Sequence, residues 1–181
     1  MYCVIDIGSN TIRLVIYTLE DGQLRQALSS KATAGLAGFV EDGALSEEGI
    51  ERMLGVLRRF RGVLSLLPDC KVYPFATASL RGLSNTQDIL ERVERETGFK
   101  IDVITGREEA ILDYRGAVGR MQERSGVLVD IGGGSTELVF FRSRGSSRRE
   151  ACRSAPSRSL TALSPASFRT NRSCAKCGQR R

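Results

Sequence analysis

The sequence contains no histidine. This chain alone therefore cannot run Ser-His-Asp or Cys-His catalysis, nor hold a metal through imidazole. Its chemistry is confined to carboxylates, hydroxyls, backbone amides, Arg and Cys. No apolar run approaches the roughly 18 residues of a membrane-spanning helix, so no membrane partner is expected. The N-terminal MYCVIDIGSN has no basic segment ahead of its apolar run and does not read as a secretory signal. A cytoplasmic protein is the expectation. The cysteines number five, an odd count at uneven spacing, which gives no disulfide framework.

What is present is enough for one ordinary domain, or one domain and a fragment: 181 residues, 41% of them hydrophobic and 27% charged. The net charge of +6 is unevenly placed. Residues 142–181 hold ten Arg and one Lys against a single acid, Glu150, leaving 16 basic and 20 acidic residues in 1–141. The front is a mildly acidic body and the back a basic, Ser/Arg-rich tail with no helical or alternating period. Cys174 and Cys177 form a C-x-x-C within it. A structural zinc needs four ligands, and even with Cys152 one is missing, so an incidental thiol pair is the expectation.

Residues 1–141 alternate between strand and helix signals. Tyr2–Ile7, Thr11–Leu19 and Gln23–Ala34 read as strands, the last two joined by the hairpin pair Asp21-Gly22. The Gly-rich stretch 35–43 reads as a mobile turn. Ser46 is an N-cap followed by Glu47 and Glu48, and Ile50, Met53, Leu54, Leu57, Phe60 and Leu64 recur at helical spacing up to Pro68. A strand over Cys70–Ala76, a helix over Thr86–Thr97 closed by Gly98, a strand over Phe99–Ile104 and a helix over Arg107–Glu123 follow. Two further strands, Gly126–Ile131 and Thr136–Phe141, complete the pattern. Three hairpin-ordered strands followed by crossover units predict an α/β fold with helices on a mixed sheet.

The sequence repeats itself. Val4-Ile5-Asp6-Ile7-Gly8-Ser9-Asn10-Thr11 matches Val129-Asp130-Ile131-Gly132-Gly133-Gly134-Ser135-Thr136: strand, Asp-Ile-Gly, a hydroxyl-bearing turn, a returning strand. Glycine opens otherwise forbidden conformations and lets an anion approach the amides. Successive N–H groups and hydroxyls cradle phosphate oxygens. An Asp at the strand end can hold Mg²⁺ beside them, usually through water. Two such hairpins facing each other would grip a phosphate chain from both sides, where either alone could be an ordinary Gly-rich turn.

DIGSNTIRL at 6–14, ATASLRGLSN at 76–85, ITGREEA at 104–110 and DIGGGSTEL at 130–138 resemble the exopolyphosphatase / guanosine pentaphosphate phosphatase (Ppx/GppA) family. That family belongs to the superfamily of actin, the Hsp70 ATPase domain and sugar kinases. The resemblance implies an actin-like (ribonuclease H-like) domain over 1–124 with a mixed five-stranded sheet, the first hairpin of a second domain over 125–141, and the tail over 142–181. It implies that Gly8, Ser9 and Asn10 form one phosphate loop, and Gly132, Gly133, Gly134 and Ser135 the other. Asp130 and Glu137 would sit by a catalytic Mg²⁺, Arg81 would contact phosphate, and Glu109 would be the base that activates the attacking water. Glu108 and Glu109 also suit the first turn of a helix through its dipole, without catalysis.

The activity implied is release of terminal phosphate from polyphosphate or pppGpp, which the motifs do not distinguish. A phosphate-binding remnant without turnover is the second reading, and a superfamily kinase or ATPase the third. Glu109 and Arg81 speak against the third. The quoted motifs end at Phe141, where family members continue, so a truncated or frame-shifted chain with little turnover is expected. The alternative for the tail is a basic extension binding RNA or polyphosphate through counterion release. Phe168 is its lone aromatic, so base stacking has no support and nucleic acid is not an expected partner. The family's homodimer contacts would lie largely beyond these motifs.

Overall fold

A computed structural model describes residues 1–118, 125–142 and 153–154. Strands β1 (Tyr2–Ile7), β2 (Thr11–Glu20) and β3 (Gln23–Thr33) run as an antiparallel meander. The β2–β3 turn is the predicted Asp21-Gly22 pair, with φ of 50° and 74°, the left-handed values a two-residue I′ turn requires. The stretch read as a mobile turn is structured. Leu36–Phe39 forms a 3₁₀ turn with Leu36 fully buried, and β4 (Val40–Glu41) and β5 (Ala44–Leu45) form a hairpin around Asp42-Gly43. A second Asp-Gly pair with positive φ makes that hairpin, and the reading of glycines alone passed over it.

Helix α1 (Glu47–Leu64) begins at Ser46, whose hydroxyl accepts from the Gly49 amide. All six residues at its helical spacing are buried, from Ile50 to Leu64. Strand β6 (Lys71–Ala76) pairs parallel to β1, and helix α2 (Thr86–Thr97) ends at Gly98 with φ 71°, an αL cap. Of the predicted strand 99–104 only β7 (Asp102–Val103) joins the sheet, while Phe99 and Ile101 are buried in the core. The sheet order is β3-β2-β1-β6-β7, the mixed five-stranded sheet expected. β1 lies at its centre. Cys3, Ile5 and Ile7 are fully buried in the same cluster as Met53, Leu57 and Val93 of the helices.

The parallel pairing of β1 and β6 brings Cys70 beside Cys3, with Cα atoms 6.2 Å apart, and the two form a disulfide. This corrects the expectation of no disulfide: a separation of 67 residues, bridged by a crossover, leaves no signal in local spacing.

Helix α3 (Gly106–Val118) packs on the second hairpin, β8 (Ser125–Ile131) and β9 (Thr136–Arg142). Ala110 and Tyr114 of the helix meet Val139 and Phe141, with the Tyr114 and Phe141 rings 5.5 Å apart. From the tail, read as having no helical or alternating period, β10 (Arg153–Ser154) pairs antiparallel with Phe140 and Val139. A two-residue strand needs no apolar period, so composition gave no hint of it. The remaining tail readings, Cys174 and Cys177 included, lie outside the described residues.

Candidate functional site

Both repeats fold alike. In the first, Ile7 pairs with Ile12, and the Gly8 amide donates to the Thr11 carbonyl at 3.0 Å. In the second, Ile131 pairs with Thr136, and the Gly132 amide donates to the Ser135 carbonyl at 2.9 Å. The two turns touch. A Cβ added to Gly134 would stand 2.4 Å from Ser9 Oγ, and one added to Gly133 would stand 3.1 Å from Asn10 Cβ. None of Gly8, Gly132, Gly133 and Gly134 has positive φ. Their glycines are required by close approach of the loops rather than by a left-handed backbone, which corrects half of the sequence argument.

Between the turns and α3 lies a cavity of about 210 Å³. Gly8, Ser9, Asp130, the three glycines 132–134 and Ser135 line one side, with Asp6 at the end of β1. Glu109 and Asp113 close the other. Asn10 lies on an adjoining cleft with Arg13 and Lys31.

Glu109 is set by local structure. Thr105 caps α3: its amide and hydroxyl both donate to Glu108 Oε2 at 2.8 Å, and the Glu108 amide donates back to the Thr105 hydroxyl. This is a capping box, legible as Thr105-x-x-Glu108. It gives Glu108 a structural role and holds its carboxyl below the usual range, chiefly through the Thr105 backbone N–H. Glu109, the next residue, is turned to the cavity.

The resemblance implied a phosphate contact for Arg81. Here its Nε donates to the Ile104 carbonyl at 3.0 Å, and its Nη2 donates to Glu109 Oε2. The segment is fixed by Leu80, fully buried, and by the Ser79 hydroxyl, which donates to the Ile7 carbonyl. Ser79 was not singled out in the sequence. Its hydroxyl ties the Arg81 segment to the end of β1. Burial pushes the Glu109 carboxyl above its ordinary range, Arg81 pulls it down, and Glu137 and Asp130 push it up again. Burial likewise raises Asp6, against Arg13.

Asp130 and Glu137 face each other across the β8–β9 ladder. Like charges directly opposite destabilise a sheet. Glu137 is only 4% exposed, and neither carboxylate oxygen has a hydrogen-bond partner. A hard divalent cation answers both facts, so the residues present fit Mg²⁺. Among the described residues no three acids converge into a ready cage, so an ion held here would keep several of its waters.

The central strand of the mixed sheet and the separate second hairpin end in matching Asp-Ile-Gly turns that touch each other, on the α/β fold expected. The chain belongs to the Ppx/GppA phosphatase family, whose model matches residues 15–160, past the point where the quoted motifs end. It is similar to the solved Ppx/GppA family member of Aquifex aeolicus, at 34% identity and TM-score 0.72 over 86% of this chain and 50% of that one. It is similar also to an exopolyphosphatase from Cytophaga hutchinsonii, at 29% identity and TM-score 0.76 over 85% of this chain and 49% of that one. The chain thus spans about half the length of these relatives. No helix among the described residues is long and apolar enough to cross a membrane.

Proposed function

We propose that this chain carries the phosphate-gripping and water-activating half of a phosphoanhydride hydrolase acting on the terminal phosphate of polyphosphate or pppGpp. The observation behind this is the contact between the two turns: Gly134 packs against Ser9 beside a cavity whose opposite wall is Glu109. Turn amides and the Ser9 and Ser135 hydroxyls bind the phosphate oxygens. Asp130 and Glu137 would hold Mg²⁺, which when bound would supply charge neutralisation at the transferring phosphoryl group. Glu109 orients the attacking water and takes its proton. Burial raises its basicity, and Arg81 fixes its direction. Arg81 therefore acts on phosphate chiefly through Glu109.

A second reading is binding without turnover. Val127, Val129 and Phe140 are each half exposed and Ile131 is 77% exposed, so one apolar face of the second hairpin is uncovered among the described residues. That face is the one opposite Asp130 and Glu137, so the strands that carry the site lack backing on that side among the described residues. The deciding experiment is phosphate release from polyphosphate and from pppGpp with Mg²⁺, by the 181-residue chain and by Glu109→Gln. Release that falls by about 10²-fold or more in the variant supports the hydrolase reading. Equal tight binding of substrate by both, with no release from either, supports the second reading. Release untouched by the substitution would refute the role of Glu109.

A further inference from the structure

Asp113 belongs to no motif and to no step of the reaction above. It lies one helical turn beyond Glu109, so both carboxyls are on one face of α3, and both line the cavity. Its Oδ2 is buried without a hydrogen-bond partner. Asp6 and Asp130 line the same cavity, so four carboxyls share it. Arg81 is already paired with Glu109. Glu137 gives an independent sign: it stands opposite Asp130, hence on the same face of the hairpin, almost wholly buried with both oxygens unpartnered. Carboxylates in that condition are costly and persist where a cation compensates them.

We propose that Asp113 completes the divalent-cation site from outside the ion's coordination sphere, anchoring its water shell from the α3 side while Asp130 and Glu137 would hold the ion from the hairpin. The inference rests on the Mg²⁺ site proposed above. The ligand class is a hard, oxygen-seeking divalent cation. Because no three described acids converge on one point, Asp113 acts through coordinated water.

The test needs no substrate. Mn²⁺ binding to the 181-residue chain is followed by electron paramagnetic resonance, and thermal midpoints are taken with and without Mg²⁺. Asp113→Asn is expected to weaken Mn²⁺ binding about tenfold or more. It is also expected to raise the metal-free midpoint, because one like charge is gone, and to shrink the rise that Mg²⁺ produces. A merely structural aspartate would lower the metal-free midpoint and leave Mn²⁺ binding alone, and that pair of results overturns the proposal. Normal Mn²⁺ binding by the variant overturns the role of Asp113 and leaves the Asp130–Glu137 site standing. No Mn²⁺ binding by the folded parent chain overturns both. Asp113→Ser, neutral and smaller, gives the same readings should the asparagine variant not fold.

Discussion

The two hairpins of this chain share a backbone and differ in charge. Each encloses a loop of the same length, closed by the same glycine amide-to-carbonyl bond. At the strand end before each turn sits an Asp. Across from Asp6 stands Arg13, and across from Asp130 stands Glu137. The first hairpin brings its own counter-charge. The second opposes two acids and keeps one of them buried. Their packing differs too: Ile5, Ile7, Ile12 and Leu14 of the first are fully buried, while Val127, Val129 and Ile131 of the second are exposed. One hairpin is a finished scaffold. The other is held on one face by α3 and keeps a carboxylate buried without a partner.

The sharpest way to break that contrast is to make the second hairpin neutral. Glu137→Gln removes a buried, unpartnered charge. Cation affinity is expected to fall by about 10- to 100-fold, measured by Mn²⁺ titration. The metal-free midpoint should rise, since relief of an unpaired buried group is worth about 1–3 kcal/mol. A variant that is less stable without metal would mean that Glu137 has a partner the second hairpin already supplies.

The contact between the hairpins is the next target. Gly134→Ala places a methyl 2.4 Å from Ser9 Oγ and 3.1 Å from Ser9 Cβ, so the turns must part. Overpacking of this kind costs about 1–3 kcal/mol. Affinity for inorganic phosphate or tripolyphosphate, read by calorimetry, should drop about tenfold or more, that is by at least about 1.4 kcal/mol. Gly22→Ala, in the β2–β3 turn with open space around it, should leave phosphate affinity unchanged while straining a φ of +74°. Equal losses in both would show that the effect is general destabilisation.

Much of this arrangement was legible because it is local or repeated. The helical spacing from Ile50 to Leu64, the Ser46 cap and the Asp21-Gly22 turn are each written within a few residues. The internal repeat told where two loops would be alike, and the structure shows them touching. What was not legible depends on who meets whom. Asp113 was missed because its meaning lies in Asp130 and Glu109, brought close only when α3 docks on the hairpin, although its i+4 spacing from Glu109 was a usable signal. The sequence could not show that the Ile104 carbonyl and Glu109 would hold the Arg81 guanidinium. The Cys3–Cys70 pair and the β9–β10 pairing have the same origin, in contacts between segments far apart in the chain.

The smallest expected effect tests the finished hairpin. Burial raises the Asp6 carboxyl, and Arg13 is the influence that lowers it. A raised carboxyl contributes stability in its protonated form, fully below its unfolded value near 4 and progressively less as pH rises through the folded value. Arg13→Gln removes the lowering influence, so the folded value moves further up and the loss of stability runs to higher pH. Arg13 is exposed, so the difference should reach only about 0.5–1 kcal/mol. Thermal midpoints of parent and variant should nearly coincide at pH 4 and separate steadily by pH 7, the variant lower, and added salt should narrow the gap. A gap of constant size across that range would mean that Arg13 serves β2 by packing its stem on the sheet. The first hairpin would then owe its completeness to its buried isoleucines alone, and the charge contrast between the two hairpins would rest on Glu137.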